Sequence, residues 1–280
     1  MPTVFVALAL LIAAALIYGN HRWTTASKKI IARLESARLP AIQATYNPDE
    51  LTSLPAPVQA YLRTVLTPGQ PIVTAVSIAQ IGSMNMSTTG ESWKPFTSKQ
   101  RIIPRRPGFD WEARMQMFPG LAARVHDAYI AGEGLLHASL WGLFSMADAS
   151  GTPELAQGEL LRFFAEAAWY PTAYLPSQGV VWNAIDEHSA EAILHDGALA
   201  VTLLFRFGKD NLIESMYAAS RGCGVGPDIV PTPWQGHWSN YQKRHGMLIP
   251  LDGEVAWVMP DGPKTYWRGQ ITKIDFEFVG

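Results

Sequence analysis

The chain has 280 residues, enough for one large domain or two small ones. Its formal net charge of -2 leaves no basic footprint for a nucleic-acid partner. Charged residues make up only 16 % of a chain with 10 tryptophans, which points to a large core or a core plus an apolar cavity, and the single Cys223 excludes an intrachain disulfide or a multi-cysteine zinc site.

Val4 to Tyr18 is uncharged and apolar, slightly short of the roughly 20 residues of a membrane span, with Thr3 and Gly19 able to extend it. A secretory signal would carry Lys or Arg ahead of this run, and none stands there, although Ala13 and Ala15 could serve a signal peptidase. The basic residues follow, at Arg22, Lys28, Lys29 and Arg33, and Trp23 sits where an interfacial aromatic would. The expectation is an uncleaved single-pass anchor over residues 1–20 with the membrane as partner, and by the positive-inside rule a cytoplasmic domain. The alternative is a cleaved signal.

Residues 21–53 read as a helical stalk and linker. A short amphipathic helix is expected from Ala26 to Ala37, with Ile30, Ile31 and Leu34 on one side, before Pro40 and Pro48. A second helix is expected from Pro55 to Leu66, capped by Ser53, with Val58, Tyr61, Leu62 and Val65 as its apolar face.

The period then changes to that of strands, within one domain over residues 54–280. Strands are expected near Ile72–Ile81, Met84–Glu91, Phe96–Ile103, Asp110–Phe118, Ala122–Ala131 and Gly134–Leu143. They resume near Val181–Asp186, Ala190–His195, Leu199–Phe207, Ile213–Arg221, Gln235–Lys243, Met247–Pro250, Glu254–Met259 and Thr265–Phe278. Gly222 to Gly226 is glycine-rich but opens no helix, so it reads as a flexible loop and not as a phosphate cradle.

A central helix, residues 152–170, interrupts the strands. Thr152 can cap it, Pro153 suits its first turn, Glu154 favours the positive end of its dipole, and Pro171 ends it. Its apolar residues cover most of the circumference, the pattern of a helix buried on several sides. The expected class is α+β: a large curled antiparallel sheet, half-barrel or barrel, enclosing this helix and preceded by a transmembrane helix.

Four stretches carry a resemblance: Pro107 to Arg114, Arg162 to Thr172, Pro233-Trp234, and Tyr266 to Gly269. Together they resemble a bacterial family of uncharacterised membrane-anchored proteins, over about Leu54 to Phe276. That resemblance implies the domain boundary and no activity. More loosely, the expected architecture is similar to the half-barrels of envelope lipoprotein carriers, an analogy of fold alone.

No nucleophile elbow, zinc-protease helix, P-loop or dinucleotide fingerprint is present, so no cofactor is expected. Arg162 and Glu166 stand one turn apart on the central helix, either as a structural ion pair or as an anchor for an anionic headgroup, with Trp169 beside them as core. Asp110, Glu112 and Arg114 alternate with Trp111, Ala113 and Met115; the polar row faces solvent, or else turns inward and gives Arg114 to Glu166 or to a ligand. His237, among aromatics, is the histidine to suspect of acid–base work, with Asp186 or Glu187 as partners. His126, Asp127 and His137 lie close in sequence without metal-ligand spacing, so no metal site is expected. Met84, Met86, Met115, Met117, Phe118, Trp141, Phe144, Met146 and Trp257 read as core filling, and a ligand cavity would use the same types. The function expected is a membrane-tethered binding protein for a lipid or other amphiphile, with ligand contacts from Arg162, Glu166, Trp169, Arg114, Trp111 and His237. The alternatives are a hydrolase or isomerase on a membrane-derived substrate, or an assembly factor with a protein partner.

Overall fold

The computed structural model describes residues 2–87, 90–225 and 228–279. It opens with one unbroken helix, α1 (Pro2–Ser36). The anchor and stalk expected separately are therefore a single element. Nothing between Tyr18 and Ala26 breaks a helix except Gly19, and that glycine serves a close approach: a Cβ there would strike the backbone oxygen of Trp141 and the side chain of Leu143. The second helix, α2 (Ala56–Val65), buries Val58, Tyr61, Leu62 and Val65 as its spacing predicts, but its N-cap is Pro55 and no side chain caps it, Ser53 included.

Among the described residues, thirteen antiparallel strands then form one curled, unclosed sheet. They are β1 (Val73–Asn85), β2 (Trp93–Ile103), β3 (Gly108–Phe118), β4 (Leu121–Ile130), β5 (Glu133–Leu140), β6 (Phe144–Ser150), β7 (Val181–Asp186), β8 (Ser189–Asp196), β9 (Leu199–Phe207), β10 (Ile213–Val225), β11 (Asp228–Arg244), β12 (Met247–Met259) and β13 (Gly262–Phe278). The first six make one meander and the last seven another, joined where β1 pairs with β13. Strands β6 and β7 are thus opposite edges. The chain between them must cross the sheet, and it carries α3 (Pro153–Glu166) over the inner face. This explains why α3 is apolar nearly all round: Leu160, Leu161, Phe163 and Phe164 are each at most 2 % exposed. Each contributes about 1.5–3 kcal/mol by burial. Thr152 caps the helix as its sequence predicts, accepting from the Leu155 amide at 3.2 Å.

Two expected strand pairs are single strands. Met84 and Asn85 extend β1, while residues 88 and 89 of the expected Met84–Glu91 strand lie outside the described residues. Met247–Pro250 and Glu254–Met259 merge into β12. In both cases a glycine suggested a turn. Gly82, Gly269 and Gly253 are register neighbours across β1, β13 and β12, and a side chain at any of them would run into the ring of Phe96, Trp267 or Trp238 respectively. The glycines make room for aromatic rings on the inner face. The expected loop from Gly222 to Gly226 is corrected likewise as far as it is described: Gly222 to Val225 lie in β10, paired with β11, and residue 226 lies outside the described residues.

The outer face is covered over β1 to β4 by the C-terminal half of α1. Leu34 packs there with Ala75, Ile103 and Ile130.

Candidate functional site

The site is built on opposite faces of β3 and β4. On the inner face Trp111 and Asp127 are register partners, with α3 laid across them. Arg162 projects from α3 between the rings of Phe109 and Trp111, its guanidinium carbon 4.9 and 5.0 Å from their centroids. Its Nε donates to Glu166 Oε1 at 2.8 Å and its Nη1 to Asp127 Oδ2 at 2.6 Å. Gln100 Nε2 donates to the other Glu166 oxygen at 2.6 Å. These carboxylates push the Arg162 pKa up against the opposing effect of burial.

A second arginine stands beside the first. Arg221, from β10, lies 4.6 Å over the Trp234 ring and donates to Glu159 Oε1 at 3.2 Å and to the Gly158 carbonyl at 3.1 Å. Burial raises Glu159 to about 8, Asp127 adds to the rise, and Arg221 and Arg162 oppose it. Burial therefore favours the protonated form of Glu159 more than in a free carboxyl, while Asp127 and Glu166 are the acids ion-paired to Arg162.

This cluster closes one wall of a cavity of about 210 Å3. Trp111, Trp234, Trp238, Trp257 and Trp267 supply most of the apolar lining. Trp238 also lines the cavity, and its Nε1 is buried with no hydrogen-bond partner among the described residues.

Of the residues singled out from sequence, the fold brings Arg162, Glu166 and Trp111 to the cavity. Trp169 lies behind the wall, edge-on to Trp238 at 5.4 Å between centroids. Arg114 and His237 are exposed on the outer face, on the opposite side of their strands from Trp111 and Trp238. Arg114 is not beside Glu166, and His237 pairs in register with Glu254, away from Asp186 and Glu187. The core-filling reading holds for Met115, and Met84, Met117 and Trp257 pack half-buried against the same core; Met86, Phe118, Trp141, Phe144 and Met146 are exposed instead.

The outer face of β3 and β4 carries a constellation that sequence reading missed. His126 Nδ1 lies 2.9 Å from Asp110 Oδ1, and His126 Nε2 lies 2.9 Å from Ser27 Oγ on α1. Trp23 stacks on His126 at 4.7 Å between ring centroids and donates to Glu112. The order Ser–His–Asp is that of a hydrolytic triad, but the surroundings oppose that chemistry. Ser27 sits inside a helix whose amides are committed to helical hydrogen bonds, so they form no oxyanion hole. The Glu112 carboxylate, 3.3 Å from Ser27 Oγ, would repel an oxyanion. The group is a clasp between helix and sheet. Ser27 and His126 are 99 residues apart, and no local motif links them.

The chain belongs to the family of unknown function DUF6920, whose model matches residues 52–276. Among solved structures it is similar to a LolA superfamily protein from Nitrosomonas europaea, with 8 % identity, a TM-score of 0.40 and coverage of 79 % of this chain and 94 % of that one. It is also similar to a domain assigned to the outer membrane lipoprotein-sorting proteins of Vibrio parahaemolyticus, with 8 % identity, a TM-score of 0.37 and coverage of 72 % and 85 %. No curated protein matches it in sequence.

Proposed function

We propose that the protein is a membrane-tethered binding protein for a lipid or other amphiphile. The observation that carries the reading is the cavity, with tryptophan walls and an ion-paired floor. At about 210 Å3 it is smaller than the roughly 300–1,000 Å3 of drug-sized sites, so it takes one end of an amphiphile and not a whole diacyl lipid. Arg162 is held by Asp127 and Glu166, so its part is to order the floor. The anchor is the apolar half of α1, and Arg22, Lys28, Lys29 and Arg33 beyond it favour a cytoplasmic domain.

Native mass spectrometry of the full chain, released from nanodiscs, tests this. A retained mass that is lost on organic extraction and resolves as lipid is expected, with Val255→Trp, which fills the cavity, abolishing it. A bare polypeptide mass after incubation with total membrane lipids would overturn the reading. One observation favours a second reading: a carboxyl of raised pKa, Glu159, near the cavity is suited to general-acid chemistry on a membrane-derived substrate. Turnover of any such substrate would then fall in Glu159→Gln.

A further inference from the structure

The point where α1 leaves the sheet is fixed by two close contacts. Gly19 packs against the β5–β6 turn at Trp141 and Gly142, where a Cβ on either glycine would strike the other segment. One residue on, Arg124 Nη2 donates to Asn20 Oδ1 at 2.8 Å. The apolar run of α1 ends at Tyr18, and polar residues begin at Asn20, His21 and Arg22. The water-facing end of the span therefore coincides with the β5–β6 turn.

Around that point the sheet shows what a soluble surface does not. Phe118, Trp141, Phe144 and Met146 are between 45 % and 64 % exposed, in or beside the neighbouring β3–β4 and β5–β6 turns. On the outer face just below them Arg114 and Arg124 stand directly opposite in register. Like charges so placed repel, and no ion pair holds either one among the described residues. Lys94 lies 5.4 Å over the Phe118 ring. Arg124 also lies 5.9 Å over the Trp23 ring. Apolar tips with aromatic rings, backed by cations that no carboxylate pairs among the described residues, match the layering of a bilayer interface, with acyl boundary outside and phosphates behind.

We propose that this end of the sheet is a bilayer-seating surface: Phe118, Trp141, Phe144 and Met146 enter the interface, and Arg114 and Arg124 meet phospholipid phosphates. The seating directs the cavity. Of its partly exposed lining residues, Met84, Gly222, Trp257 and Tyr266 stand toward the ends of β1, β10, β12 and β13 that the antiparallel order directs the same way as the β3 and β5 ends; Asp127, Arg162 and Val255 are the others. An amphiphile thus enters from the bilayer without crossing water. The inference rests on the tethered-binding reading, but its test needs no ligand.

The test is spin-label depth measurement on the full chain in nanodiscs of phosphatidylcholine with phosphatidylglycerol. Nitroxides are placed at Phe118→Cys and Phe144→Cys, and at Lys209→Cys at the opposite end of the sheet, each in a Cys223→Ala background. Oxygen is expected to collide severalfold more than a nickel chelate with the two tip labels, and the order to reverse at position 209. Replacing Arg114 and Arg124 by Gln should withdraw the tip labels toward water and remove any dependence of depth on phosphatidylglycerol. Tip labels as chelate-accessible as the one at position 209 would overturn the proposal. Insertion unchanged by the double Gln variant would overturn the phosphate contact. Lipid retention in native mass spectrometry is read separately, so a failed seating and an empty cavity are distinguishable.

Discussion

Glu159→Gln isolates the buried charge balance. Glu159 Oε1 accepts from Arg221 and Oε2 has no partner among the described residues, and burial with Asp127 nearby lifts the group from 4.5 to about 8. The folded state therefore holds a proton that the unfolded chain releases. With a folded pKa above the unfolded one, this group's contribution to stability is full below 4.5. It declines as pH rises and is lost by about 8. At about 1.36 kcal/mol per pH unit the loss is on the order of 5 kcal/mol. Glutamine keeps the shape and cannot titrate. Thermal unfolding of the full chain in nanodiscs, followed by tryptophan fluorescence, should find the variant close to the parent at pH 5. At pH 9 it should be more stable by on the order of 10 °C, taking roughly 2–4 °C per kcal/mol for chains of 150–250 residues. The comparison with the parent at each pH removes the other titrating groups. A difference between the two that stays constant from pH 5 to 9 would refute the protonated carboxyl.

Arg162→Met leaves the buried Glu166 and the half-buried Asp127 without their cation, which costs about 3–5 kcal/mol. Equilibrium denaturation should show that loss, and adding Asp127→Asn and Glu166→Gln should recover most of it; no recovery would mean that Arg162 acts by packing between Phe109 and Trp111. Trp23→Ala removes a buried ring from the clasp and should cost about 3–5 kcal/mol, visible as faster amide exchange over residues 19–36 while α3 stays protected. Equal loss of protection in both would show that the clasp is not a local unit.

How much of this was legible depends on whether a signal is local. The α3 cap, its all-round burial and the Arg162–Glu166 pair all follow from residues a turn or two apart. The period of two also separated Trp111 from Arg114 correctly, but alternation names two faces without saying which is covered. Strand β6 was missed because it is an edge strand: its residues Phe144 to Ser150 are nearly all exposed, so no alternation marks them. Glycines misled in a consistent way. Gly82 and Gly253 read as breaks between strands and Gly222 as part of a loop, whereas the fold uses them to admit a neighbouring side chain within a strand. The Ser27–His126–Asp110 clasp joins three distant segments, and only their packing brings them together.

Strands β3 and β4 bind these features into one argument. Asp110 and Trp111 are consecutive, as are His126 and Asp127. In each pair one residue faces α1 and the other faces the cavity. Phe109, Asp110 and Trp111 are all buried, and so are Ala128, Tyr129 and Ile130, a run that needs cover on both faces of the sheet. Helix α1 supplies the outer cover. It is therefore part of the fold, for without it Asp110 and His126 would lose Ser27 and Trp23, and Ala75, Ile103 and Ile130 would lose Leu34. The cavity wall on the other side of the same two strands would lose its backing. A domain cut free after Ser36 is thus a poor stand-in for the protein, and ligand retention has to be measured on the chain with its helix in place.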